Sequence, residues 1–457
     1  MNINQIISLK GNVDRKSYLF WGILLFAIKY NLDRFVSISF FDKYWIITDY
    51  FIQPDVVSVS TLNSTQTAFY TTLVVMAIPF IWFGTTLTIK RLRNATLPQW
   101  LVVLFFIPFL NLFLFLILSV VPAKTSDTTE THKNSFLDKL IPQSKTGSAA
   151  FAIGIIVFLA LLLTLFSIQF LKEYGWSLFV GIPFFIGLGS TLIYGYHQPR
   201  TYQQCVSVCL TALGFFGVII FMLAVEGIIC IAMSAPIGIV LAWVGGTIGF
   251  SIQNNVTRSN PTVFFSLVVF LPFLIVAESL DKSDAPLIEI KSEIVINKSR
   301  SEVWGNLVAF NHMQAPDELL FKTGIAYPIK ATITGKGAGA VRNCVFTTGP
   351  FVEPIEIWDE PRLLRFSVID QPPPMTELSF YRDMNMPHLE DYFRSEKGQF
   401  LLTEMSPNQT KLEGTTWYRH NIWPSMYWRL WSDYILHKIH LRVLNHIKTK
   451  TENTETN

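Results

Sequence analysis

Arg342 and Glu353 are the pair of residues whose types and spacing could best do chemistry in this chain. They flank Thr347-Thr348-Gly349-Pro350, a turn cluster in which glycine tolerates positive φ and proline ends strand pairing, so the stretch Val341 to Pro361 reads as a β-hairpin. With Thr348 and Gly349 in the loop, Phe346 faces Phe351, Cys344 faces Glu353, and Arg342 and Glu353 are diagonal neighbours. Side chains alternate along a strand, so Arg342, Cys344, Phe346, Phe351, Glu353 and Ile355 share one mostly apolar face. A lone charge buried there costs several kcal/mol, so the two must be paired with each other or with a ligand. A structural ion pair is one outcome. Polarising the carbonyl of a bound molecule, with a histidine nearby, is the other.

The remaining constellations carry less. Asp433, His437 and His440 fall at i, i+4 and i+7 of a predicted helix, with His446 further on, a spacing that could present metal ligands along one face. No fourth ligand or orienting partner is readable, so solvated or capping histidines are expected and no metal. Cys344 has no nucleophile elbow, and Gly-x-Ser-x-Gly does not occur. Gly335, Gly337 and Gly339 lack the strand-to-helix setting of a nucleotide loop and read as a turn. His312 and His420 become candidate acids or bases only if the fold brings them to a cavity. Four cysteines form no CxxC pair, so free thiols are expected.

Composition sets the frame for these groups. Half of the 457 residues are hydrophobic and 15% are charged, with a mean hydropathy of +0.37, which points to a polytopic membrane protein with a soluble attachment. From Asp284 onward the chain carries 19 Lys and Arg against 21 Asp and Glu, which excludes a basic nucleic-acid surface.

Apolar runs long enough to approach a span of ~20 residues occur at Tyr18–Val36, Thr67–Ile89, Gln99–Val121, Ala149–Leu171, Trp176–Tyr196, Cys205–Val225, Gly227–Phe250 and Pro261–Ala277, giving eight expected spans. Lys29 and Asp33 can pair as boundary charges of the first. Glu226 is the acid expected deepest in the membrane; it must be protonated, paired or facing a polar cavity, unless it simply ends a helix. Basic residues before the first run and at Lys90, Arg91 and Arg93, with eight crossings, place the C-terminus in the cytoplasm. The lysines of the following linker oppose that placement.

Gly11-Asn12-Val13-Asp14-Arg15-Lys16, an aromatic-rich first run, and KRLRNATLPQW leading into IPFLNLFLFLILSVVP resemble the bacterial inner-membrane family numbered 805 among the domains of unknown function. Asn12, Arg93 and Asn94 stand where that family usually has Arg, His and Asp. The resemblance covers about the first 125 residues and names no activity.

After Asp284 the pattern changes to strands at Leu287–Ile296, Arg362–Ile369, Gly398–Met405 and Thr410–Asn421, a helix at Ser299–Phe310 and a long helix from Pro424 to Thr449. Gln371 to Ser395, with Pro372-Pro373-Pro374, is long enough to act as a lid. This order, with VRNCVFTTGPFVEPIEIWDEPRLLRFSV and LEGTTWYRHNIWPSMYWRLWSDYILHKIHLRVLNHI, resembles the START-like or SRPBCC superfamily in its polyketide cyclase/dehydrase-like branch. The resemblance implies an α+β helix-grip domain in which a curved sheet wraps the last helix around an apolar cavity; Phe366, Tyr418 and Tyr434 join the hairpin residues as candidates to line it.

The expected organisation is therefore a membrane domain over 1–122, a polar linker over 123–148 with a short amphipathic piece at Phe136–Ile141, a second membrane block over 149–280, the START-like domain over 284–450 and a polar tail. Its expected partners are the membrane and a hydrophobic small molecule or lipid. With no cofactor motif and no clear nucleophile, binding or transfer is favoured over an aromatase- or cyclase-type reaction on the same ligand.

Overall fold

The computed structural model describes residues 8–50, 64–107, 110–123, 136–255, 261–280, 285–377 and 393–453. It divides into two compact units, Met1–Met222 with Ser234–Lys282, and Leu223–Met233 with Ser283–Asn457.

The first unit is helical: α1 Arg15–Phe41, α2 Ser64–Asn94, α3 Leu110–Val120, α4 Phe136–Leu140, α5 Lys145–Leu165, α6 Ile182–Tyr194, α7 Tyr202–Met222, α8 Ile228–Asn255, whose first turns belong to the second unit, and α9 Pro261–Ser279. Six of these stretches are long and apolar enough to cross a membrane: Ser64–Asn94, Lys145–Leu171, Ser177–Tyr194, Tyr202–Met222, Ile228–Asn254 and Thr262–Ser279. Eight runs were expected, and the two that differ do so for separate reasons. The first lies in α1, which has 27 residues and a length of about 40 Å but carries Lys29, Asp33 and Arg34. The Lys29–Asp33 pair forms, yet Asp33 is fully buried and also accepts from the Tyr50 hydroxyl, so this acid is inside the unit and not at a boundary.

The other, Gln99–Val121, is broken. A 3₁₀ stretch, Gln99–Phe106, is followed by the short α3. Phe105 packs against Gly84 of α2, and the chain then returns, because the Arg91 guanidinium takes the carbonyls of Leu118 (2.8 Å) and Val121 at the end of α3. Both ends of the run thus sit at the C-terminal end of α2. It enters and leaves on one side.

Small residues let α6 and α8 cross closely, as membrane helices without a hydrophobic driving force between them require. A Cβ on Gly187 would lie 2.0 Å from the Ala242 carbonyl oxygen, and one on Gly245 would lie 2.4 Å from that of Phe184. Gly187→Val is therefore expected to force the two backbones apart and lower the melting temperature of the detergent-solubilised protein by many degrees. A variant that melts with the wild type would mean that the helices do not meet there.

The second unit is the expected helix-grip arrangement. Seven antiparallel strands, β1 Ile288–Ile296, β2 Pro328–Thr334, β3 Val341–Phe346, β4 Gly349–Asp359, β5 Leu363–Ser367, β6 Phe393–Ser406 and β7 Gln409–His420, run in the order β1-β7-β6-β5-β4-β3-β2. Strand alternation puts Ile294, Ile296, Cys344, Ile355, Leu364, Phe366, Leu402 and Leu412 on the inner face. Two helices cover part of that face: α10 Arg300–Leu307, through Val303, Trp304 and Leu307, and the terminal α12 Ser425–Glu452, through Val443, Leu444 and Ile447; the four-residue α11 Leu319–Lys322 lies between β1 and β2 in the chain. Glu302 reaches back to the Ser299 amide at 3.0 Å and fixes the start of α10. The first residues of the expected lid are pinned by Ala326 N donating to Pro374 O and Thr376 N to Gly324 O, and its remainder, 378–392, lies outside the described residues, as does 124–135 of the linker.

Candidate functional site

The hairpin loop lies one residue earlier than expected, which moves every cross-strand partner by two. Phe346 pairs with Gly349, Cys344 with Phe351 and Arg342 directly with Glu353, so the loop is Thr347-Thr348. Gly349 has φ +143°, outside the range of an L side chain, and this lets the strand resume at once. A shift of two residues leaves every side chain on its face, whereas a shift of one would have reversed them all. The six hairpin candidates accordingly stay together.

Arg342 and Glu353 form an ion pair with side chains 2% and 8% exposed. Arg342 Nε also donates to the Val308 carbonyl at 3.1 Å. Phe310, Phe366 and Phe400 surround the guanidinium, with ring centroids 5.6–5.7 Å away. Burial opposes the arginine's charge, but the Glu353 carboxylate outweighs it and holds the guanidinium above its usual range. Burial pushes the Glu353 carboxyl up, and Arg342 pulls it partly back. Burial also raises the Cys344 thiol to about 12, which leaves it a poor nucleophile. Ile355 and Phe366 are buried beside this pair. Phe346 and Phe351, with ring centroids 4.6 Å apart, pack against the same cluster yet remain partly exposed.

Tyr418 and Tyr434 do not join this group. Tyr418 is fully buried; its hydroxyl donates to Asp433 Oδ1 at 2.7 Å and lies 2.9 Å from Ser432 Oγ, both on α12. Burial, with Asp433 beside it, pushes this phenol above its usual range. Tyr434, one residue further along α12 and so about 100° around it, is 49% exposed and lies under Lys438. It lines nothing in the interior.

The α12 histidines are held by hydroxyl groups. Ser292 Oγ on β1 lies 2.7 Å from His437 Nδ1 and 3.1 Å from His440 Nδ1, and Thr416 Oγ1 on β7 lies 2.8 Å from His440 Nε2. Burial lowers His440 to about 4, so it is neutral near pH 7. Asp433 does not turn toward them, being bound to Tyr418 and, at 3.0 Å, to Arg429 Nε. His446 packs against Phe310, and His312 is exposed. Glu226 falls in the turn between α7 and α8 and is half-buried. Glu278 at the end of α9, which the apolar run stops just short of, instead takes the Ser177 amide at 3.1 Å.

Residues 6–132 match the family described as Protein of unknown function (DUF805). With the apolar helices, this supports a multi-pass protein of the inner membrane. No curated protein matches. Solved structures similar to the chain include truncated norcoclaurine synthase from Thalictrum flavum, with 12% identity over 38% of this chain and 99% of that one and a TM-score of 0.26. The ZhuI aromatase/cyclase from Streptomyces sp. R1128 has 12% identity over 36% and 94%, with a TM-score of 0.24. XoxI from Bacillus cereus has 14% identity over 37% and 99%, also with a TM-score of 0.24.

Proposed function

We propose that the second unit takes up a hydrophobic small molecule or lipid between its sheet and α12, tethered to the membrane by the helical unit. The observation that carries this is the inward-facing Phe346–Phe351 pair. It lies on the same face as the sealed Arg342–Glu353 pair and the buried Cys344, yet stays partly exposed, which leaves apolar surface available to an apolar guest. A second reading, conversion of that guest by cyclase- or aromatase-type chemistry, is favoured by the buried Tyr418 and His420 with the partly exposed Asp433 beside Tyr418, acid–base groups that holding an apolar molecule does not require.

Solvent extraction of the purified full chain, followed by mass spectrometry, tests the proposal. One apolar compound should be enriched over bulk membrane lipid, and roughly tenfold or more of that enrichment should be lost in Phe351→Asp, because a charge placed in an apolar site costs more than 1.4 kcal/mol. Extracts of both proteins that match the bulk membrane would sink it. Returning the compound to the protein separates the two readings: a changed mass over time supports conversion and an unchanged one supports holding.

The side of the membrane is part of this proposal. The re-entrant course of Gln99–Val121 removes one crossing from the expected eight, and α1, though not among the six most apolar stretches, counts as a crossing because its start is tied to the end of α2 and it is 27 residues long. That supports the periplasmic side for the second unit, opposite to the cytoplasmic placement expected from the apolar runs alone.

A further inference from the structure

We propose that His420 is the polar end of the ligand site, accepting or donating a hydrogen bond to a hydroxyl group carried by an otherwise apolar ligand. This deepens the reading of the second unit as a hydrophobic-ligand domain and rests on it. His420 ends β7, two residues after Tyr418 and on the same face, with the two rings stacked 6.0 Å apart. It is 3% exposed, yet among the described residues neither ring nitrogen makes a well-formed hydrogen bond, the Ile422 backbone offering at most a poorly aligned one, and the buried Ser425 hydroxyl on the first turn of α12 has no partner either. Buried polar atoms are nearly always bonded, and an unmet one costs about 1–3 kcal/mol. A buried ring whose only hydrogen-bonding neighbour among the described residues is a poorly aligned backbone group, beside an unmet hydroxyl, therefore points to a partner supplied from outside the chain.

The groups around the ring define that partner. Burial lowers His420 to about 4, with the Ile422 backbone and Asp433 opposing the shift and Arg429 adding to it, so near pH 7 the ring offers one donor and one acceptor and no charge. A hydroxyl, itself donor and acceptor, matches a neutral imidazole; a carboxylate would face Asp433. His420 lies at the opposite end of the sheet's inner face from the Arg342 cluster. Phe393, paired with His420, and Phe400, beside Arg342, are seven residues apart on β6, roughly 20 Å.

Equilibrium binding of radiolabelled dodecan-1-ol and n-dodecane to the full chain in lipid nanodiscs, with empty nanodiscs subtracted, tests the assignment. Wild type should hold the alcohol about tenfold more tightly than the alkane, one net hydrogen bond's worth. His420→Phe should erase that preference while still binding dodecane, and His420→Gln, which keeps a donor and an acceptor, should restore much of it. Without ligand, His420→Phe should melt at or above the wild-type temperature, since it removes unmet polar atoms. An unchanged preference in His420→Phe overturns the inference and leaves the proposed function standing. A clear fall in melting temperature, or failure to fold, overturns it too, because His420 would then serve a structural water. If wild type binds neither probe above empty nanodiscs, the ligand-domain reading fails and takes this inference with it.

Discussion

Replacing Glu353 with alanine is expected to destabilise the second unit by about 3–5 kcal/mol, because it leaves the Arg342 charge buried without its partner. Three features make this site sensitive. The pair is sealed from solvent, it lies in the main apolar cluster, and the guanidinium is enclosed by three aromatic rings that offer it no replacement acceptor. The Val308 carbonyl and the Cys344 thiol, neither of them charged, remain to Arg342. Arg342→Met should cost a similar amount by stranding the carboxylate. The double variant Arg342→Met, Glu353→Leu removes both charges and keeps apolar volume, so it should recover most of either loss and give a coupling energy of several kcal/mol in a double-mutant cycle. Denaturant melts of the full chain followed by near-ultraviolet circular dichroism measure all four corners. Single variants within about 0.5 kcal/mol of wild type, the range of ordinary surface changes, would show that the pair is solvated.

Those six hairpin residues were legible in the sequence because strand alternation has a period of two, and an error of two residues in the pairing register cannot move a side chain to the other face. The loop itself was not legible, since both Thr347-Thr348 and Thr348-Gly349 satisfy turn chemistry and only the backbone of Gly349 decides between them. β2, Pro328–Thr334, went unread although Ile329, Ala331 and Ile333 alternate; only the turn that follows it, at Gly335, Gly337 and Gly339, was assigned. Tyr434 was misplaced for a different reason. The side of α12 that faces the sheet carries Asp433 and His440 bound to strand hydroxyls, so polarity does not mark its outer face, and one residue's rotation separates the buried Asp433 contact from an exposed ring. In the membrane unit, hydropathy located every apolar run, but a run that dips in and returns has the same composition as one that crosses.

A reporter joined after Asn457 is expected to give alkaline phosphatase activity and a dark fluorescent-protein fusion, the signature of a periplasmic C-terminus. The hydrogen bonds sort the helix ends into two sets. Arg93 binds the carbonyls of Leu9 and Gly11, joining the start of α1 to the end of α2, and Arg91 brings the end of α3 to the same place. His197 lies 2.8 Å from the Ile141 carbonyl and Ser148 donates to that of Tyr194, joining the start of α5 to the end of α6. The Arg200 amide donates to Gln253, joining the start of α7 to the end of α8. Lys10, Arg15, Lys16, Lys90, Arg91, Arg93, Lys139, Lys145 and Arg200 all lie at this first set of ends. The opposite ends hold Lys43 and Lys172 among Asp42, Asp49, Glu173, Glu226 and Glu278, and Glu278 meets Ser177 there. A basic excess this lopsided is what the first set is expected to show if it is cytoplasmic, and Lys139 and Lys145, which had opposed an eight-span count, agree with it. Seven passages are expected, with Gln99–Val121 returning: α2 and α5 to α9, which hold the six stretches apolar enough to cross, and α1, which is less apolar but is 27 residues long and tied at its start to the end of α2. A fluorescent fusion that is bright and a phosphatase fusion that is inactive would show that Gln99–Val121 crosses or that α1 does not.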